Sequence, residues 1–382
     1  MQEITAEELE KTCSAIAANV KPWESGSFQY VKKIEDAGRN HGRVDMMNGS
    51  RYSCTVAVKK MPNRWVEKGP KEFAKKHPSE CECPWRSIAI LQELTNKGFD
   101  PTCRLMDVFR DDHYTYAVSE LASGGDLFSW CLNHPVPTPD REAEMLPLVA
   151  QTFSAVEWLH TLGIAHRDLS LENILLTGCG ESPQLVKLID FGMAHLGRWC
   201  PAATTLGPGK PSYQAPELHL KREYDGFLAD TFSLGVVVYA MALGNYPWQS
   251  TKPGRSRVFD WVSCHGILPF LQRREIAGCF SEAFIDMMAA LLHTQPAQRY
   301  GLLQLGSNKE DQINIEQVLY SSQLISKRRW LQFCRTPGQW RRGISSNSVS
   351  TMATETESDA EEHGTGRPVS AFDTVELTGL AC

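Results

Sequence analysis

The stretch His166-Arg167-Asp168-Leu169-Ser170-Leu171-Glu172-Asn173 is followed, seventeen residues after Asn173, by Asp190-Phe191-Gly192. Two carboxylates and a carboxamide thus fall within one short span, in the order a phosphoryl-transfer site needs. Asp168 can accept the proton of an attacking hydroxyl, while Asn173 and Asp190 can hold Mg²⁺ against the phosphates of ATP. Two carboxylates beside a polyphosphate repel it unless a cation sits between them, so the pair makes chemical sense only with the metal. Asn173 adds a ligand without adding charge.

Such groups need elements to hold them. Val56-Ala57-Val58-Lys59 alternates like a strand and ends in a cation. From 28 to about 118 the pattern is strand-rich, with one helix near 84–97 whose first turn accommodates Pro84. From about 126 to 320 helical patterns dominate, as over 141–162 and 230–243. These features predict an α+β fold, a small β-rich lobe joined to a larger helical one. Residues 1–27 read as an N-terminal extension with a short helix ending near Pro22. Residues 321–342 read as a helical extension with a basic edge at Arg335, Arg341 and Arg342, and 343–382 as a disordered acidic tail rich in Ser and Thr.

Of the 382 residues, 42% are hydrophobic and 22% charged, and the net charge is −6. The tail carries seven carboxylates against Arg367 alone, so the body is near neutral and no nucleic-acid partner is expected. The N-terminal stretch is acidic and lacks an unbroken apolar core, and the twelve cysteines show no paired spacing. A reducing compartment, cytoplasmic or nuclear, is expected. His77, Cys81 and Cys83 offer too few ligands, at a spacing no zinc site uses, and read as part of a surface insert. The apolar run from Phe232 to Gly244 is too short to span a bilayer and reads as a buried helix, so no transmembrane segment is expected.

Taken together, these motifs resemble those of a eukaryotic protein kinase of the serine/threonine type, over roughly residues 28–320. The resemblance implies a two-lobed protein kinase fold, with ATP and Mg²⁺ as cosubstrate and cofactor and proteins as substrates. It implies Asp168 as catalytic base, Asn173 and Asp190 as metal ligands, and Lys59 on the α and β phosphates. Gly42, Val44, Ala57 and Leu175 would line the nucleotide site, and Val44 precedes Lys59 by the family's fifteen residues. In Val118-Ser119-Glu120-Leu121-Ala122, the Glu120 carbonyl and the Ala122 backbone would face adenine, with Ser119 as a small gatekeeper and Asp126 on the ribose. Arg167 would pair with a phosphate on the activation segment, where Thr204 and Thr205 stand. Glu217 and Arg299 match the pair that locks that segment, and Asp230-Thr231-Phe232-Ser233-Leu234-Gly235 resembles the start of the central helix. These last features favour a protein substrate over a metabolite. Asp126 and Glu172 match acidic positions that read basic residues before the phosphoacceptor.

The chain departs from the pattern at four places. Ala37 and Arg39 replace two of three loop glycines, which predicts a raised nucleotide KM. Ser87 stands where the helix glutamate that pairs with the strand lysine belongs; Glu80, Glu82 and Glu93 are nearby, and the sequence assigns none of them. Ser170 and Lys210 exchange the family's Lys and Thr, so Lys210 is expected to supply a positive charge at the γ-phosphate from the opposite wall. These departures leave a pseudokinase scaffold or nucleotide-binding regulatory module as the alternative to an active enzyme.

Overall fold

The structure is a computed structural model and describes residues 2–37, 42–134, 141–178, 184–203, 207–274 and 280–299. Thr204 and Thr205, most of the loop around Arg39, the 321–342 extension and the 343–382 tail lie outside the described residues.

The chain opens with α1 (Ala6–Ala18), started by a capping box in which the Thr5 hydroxyl accepts from the Glu8 N–H and the Glu8 carboxylate accepts from the Thr5 N–H. The strands β1 (Lys21–Pro22), β2 (Phe28–Ala37), β3 (Gly42–Gly49) and β4 (Cys54–Pro62) follow. After them come two short helices, α2 (Asn63–Val66) and α3 (Pro70–Lys76), and the longer α4 (Pro84–Asn96). The strands β5 (Leu105–Arg110) and β6 (Tyr114–Glu120) complete a six-stranded sheet of order β1-β5-β6-β4-β3-β2, antiparallel except where β1 runs parallel to β5. In β4, Val56 and Val58 are fully buried, which turns Ala57 and Lys59 to the other face.

The second lobe holds α5 (Leu127–Asn133) and α6 (Arg141–Thr161), followed by β7 (Ile164–Ala165), β8 (Ile174–Leu176), β9 (Val186–Leu188) and β10 (His195–Leu196). Then come β11 (Trp199–Cys200), β12 (Tyr224–Asp225), α7 (Gly226–Leu243), α8 (Arg257–His265), α9 (Ile267–Arg273) and α10 (Glu282–Leu291). The predicted division into a β-rich and a helical lobe is the observed one.

Three expectations need correction in detail. The region 63–76 holds two short helices besides the one near 84–97. The central helix begins at Gly226, four residues before the expected start, because the Asp225 side chain caps the N–H groups of Phe227 and Leu228. That helix is long and apolar enough to cross a membrane by composition, but 94% of it is buried inside the lobe. Within the N-terminal extension, residues from Ile4 onward also pack onto the body. The Ile4 N–H donates to the Leu162 carbonyl (2.9 Å), the Cys13 thiol donates to the Trp85 carbonyl (3.4 Å), and Thr12 bonds Glu93 on α4.

Candidate active site

A cavity of about 370 Å³ lies between the lobes. From the sheet it takes Val44, Ala57 and Lys59. From the end of β6 it takes Ser119 and Glu120, from the segment that follows Ala122 and Asp126, and from the helical lobe Asp168, Asn173, Leu175, Asp190 and Lys210. These are all the sequence candidates except Gly42, which sits opposite Ala37 at the end of the β2–β3 pair.

The loop carrying Asp168 is anchored from below. Asp230, fully buried on α7, accepts the backbone N–H groups of His166 and Arg167, both at 2.7 Å, and lies 2.9 Å from His160 Nε2. Arg167 thereby holds a φ of +66°, a left-handed conformation that costs a side-chain-bearing residue energy unless its surroundings enforce it. Burial depresses the pKa of His166 and keeps the ring neutral. Its Nδ1 accepts from the Asp168 N–H (3.3 Å), which assigns the proton to Nε2, donating to the Ile189 carbonyl (3.0 Å). One ring thus ties the residue before Asp190 to Asp168 itself.

Asn173 Nδ2 donates to the Asp168 carbonyl (2.7 Å) and to Asp168 Oδ2 (3.2 Å). The amide is planar, so its oxygen faces the other way. Asp190, at φ +63°, puts Oδ1 3.3 Å from Lys59 Nζ. The Lys59 ammonium, against its burial, holds the Asp190 carboxyl below the usual carboxylate range. Burial works against the charge on Lys59, but Asp190 and then Glu82 outweigh it and raise its pKa. Both groups are therefore ionised at neutral pH. An ionised carboxylate and an amide oxygen are hard donors, and this set fits a hard divalent cation.

Lys210 does not point away into solvent. Its Nζ donates to Ser170 Oγ (3.0 Å) and lies 2.7 Å from Glu172 Oε2, an ion pair by proximity. Glu172, expected to read basic substrate residues, is thus already partnered within the chain. Asp126 is likewise shared: its Oδ1 caps α5 by accepting from the Ser129 N–H (2.6 Å), while the residue still lines the cavity. Gly124 allows the connecting segment to touch the helical lobe, because a Cβ there would lie 2.8 Å from the carbonyls of Leu176 and Gly178.

On the outer side, Arg299 grips Glu217 through two nitrogens (2.6 and 3.0 Å), with both side chains buried, as the sequence pairing implies. Arg167 Nε donates to the Tyr224 hydroxyl (2.9 Å). Among the cavity residues that the sequence left without a role is the buried Glu82, which it placed near the helix carrying Ser87 without assigning it.

A family model described as a protein kinase domain matches residues 38–309. The serine/threonine-protein kinase SRK2E of Arabidopsis thaliana is 39% identical over 233 residues, which cover 60% of this chain and 57% of the relative. A probable myosin light chain kinase of Dictyostelium discoideum is 34% identical over 180 residues, covering 47% and 44%. The testis-specific serine/threonine-protein kinase 5 of Mus musculus is 32% identical over 213 residues, covering 54% and 52%. The chain thus spans about half the length of these three relatives and less than a third of several others it matches. With the two lobes, the cavity between them and the anchored loop of Asp168, these matches place the chain in the protein kinase family.

Proposed function

We propose that the protein transfers the γ-phosphate of Mg-ATP to serine or threonine hydroxyls of protein substrates. The observation that carries this reading is the convergence of Lys59, Asp168, Asn173 and Asp190 on one cavity. A pure scaffold has no chemical need for all four. ATP and a divalent metal are general to the family, and the relatives' names supply the serine/threonine class.

In this reading the substrate hydroxyl oxygen attacks the γ-phosphorus, and the bond from that phosphorus to the β,γ-bridging oxygen breaks to release ADP. The hydroxyl proton passes to the Asp168 carboxylate, which Asn173 and the His166-braced backbone hold in place. Asn173 and Asp190 would hold the metal, whose charge offsets that on the phosphates when bound. Lys59 positions the nucleotide. Lys210, carried on the segment facing Ser170, adds a cation near the γ-phosphate where the usual lysine is missing.

The test is transfer of labelled γ-phosphate from Mg-ATP to a mixed basic peptide pool, beside an Asp190→Ala control, with phosphoamino-acid analysis of the product. Label on Ser and Thr that vanishes in the control is expected. Label on Tyr, or no label, would contradict the reading.

A further inference from the structure

Lys59 is paired here with Asp190, the same carboxylate that is to take the metal. Once Asp190 turns to a cation, Lys59 needs another counter-charge to stay aimed at the nucleotide. Ser87, on the cavity-facing side of α4, is neutral and supplies none.

Three carboxylates lie near that helix. Glu80 is exposed. Glu93 bonds Thr12 of α1. Glu82 is only 9% exposed and lines the cavity with Lys59 and Asp190. It stands just before α4 and is fixed there by its neighbour, since the Cys83 N–H donates to the Gly192 carbonyl (3.0 Å). Its side chain fills the space over Gly192: a Cβ on that glycine would come within 2.8 Å of Glu82 Cγ and 3.3 Å of Asp190 Oδ1. Gly192 is therefore what lets Glu82 approach the Lys59–Asp190 pair. Glu82 thus shares the cavity with Lys59 and lies over Gly192 beside Asp190, where its charge supports the Lys59 ammonium. Glu35 also lines the cavity and acts on Lys59, but it is exposed on β2, whereas Glu82 is buried.

We propose that Glu82 is the positioning carboxylate for Lys59, delivered from the segment before the helix instead of from the helix position that Ser87 occupies. The proposal rests on the cavity being an ATP site. It extends the catalytic set by a residue that never touches the reacting atoms.

The experiment is a double-mutant cycle on nucleotide affinity in the full chain, with Glu82→Gln, Lys59→Met and the double variant titrated with ATP with and without Mg²⁺. Glu82→Gln keeps the side-chain volume and removes only the charge. The expected result is a loss of affinity on the order of tenfold for Glu82→Gln in the Lys59 background and no further loss in the Lys59→Met background. Unchanged affinity in Glu82→Gln, or an equal loss in both backgrounds, would overturn the proposal, because a merely structural role does not depend on Lys59. Coupled binding without phosphate transfer in the wild type would sink the kinase reading and leave Glu82 standing. Transfer with uncoupled binding would do the reverse.

Discussion

At the scale of single residues, the exchange at 170 and 210 carries the most chemistry. A hydroxyl and an ammonium have traded walls, and the 3.0 Å contact between them keeps the cation beside Asp168. If that cation offsets charge in the transition state, Lys210→Ala lowers kcat by roughly 10²-fold while the KM for ATP changes little. An unchanged kcat would show that Lys210 serves only Glu172. His166 gives a second prediction, on stability. Its folded pKa is depressed by burial, so below its ordinary value of about 6.5 the unfolded chain binds a proton that the folded one refuses. Stability is therefore full above about pH 6.5 and falls as the pH drops toward the lower native value. His195 and His219 are shifted in the same direction, so a His166→Asn variant followed by thermal unfolding from pH 8 to 5.5 should show a shallower acid slope, not a flat one. The main residues of this site were legible in the sequence because each belongs to a short contiguous pattern. Glu82 was not, because its role depends on a contact across more than a hundred positions to Gly192.

At the scale of elements, the central helix α7 does more than fill the lobe. It offers one carboxylate, Asp230, to two backbone N–H groups of the catalytic loop and to His160. Asp230→Asn keeps the shape but turns a donor toward one of those donors, and should cost roughly 1–3 kcal/mol of stability. Transfer should fall with it, because the loop that aims Asp168 loses its tether. Calorimetry with parallel kinetics checks this, and an Asn variant as stable and active as wild type would refute the tether. The start of α7 was misjudged from sequence for a physical reason. The Asp225 cap starts the helix at Gly226, and that position must be glycine because a Cβ there would lie 2.6 Å from Cys200 Sγ and 2.8 Å from Ala165 Cβ. The two helices over 63–76 are too short for periodicity to reveal. By contrast, β4 and α6 were plain in the sequence, since a two-residue alternation and a long helical period survive any context.

At the scale of the whole molecule, the two lobes bring a strand lysine and the loop carboxylates to one cavity, and everything else holds that meeting in register. The buried Arg299–Glu217 pair fixes the segment bearing Lys210 to the helical lobe, and α1 braces α4 from outside while Ile4 reaches the opposite lobe. The lobe division was legible from the sequence pattern, but the seating of the N-terminal residues across both lobes was not, since no local pattern encodes a docking partner. The central claim is that this cavity performs transfer and does not merely hold nucleotide. Asp168→Asn tests it most directly, with ATP affinity and γ-phosphate transfer measured on the same preparation. The account predicts ATP affinity within about twofold of wild type and transfer reduced by roughly 10²–10⁴-fold. Undiminished transfer, or a wild type that binds Mg-ATP and transfers nothing, would contradict it.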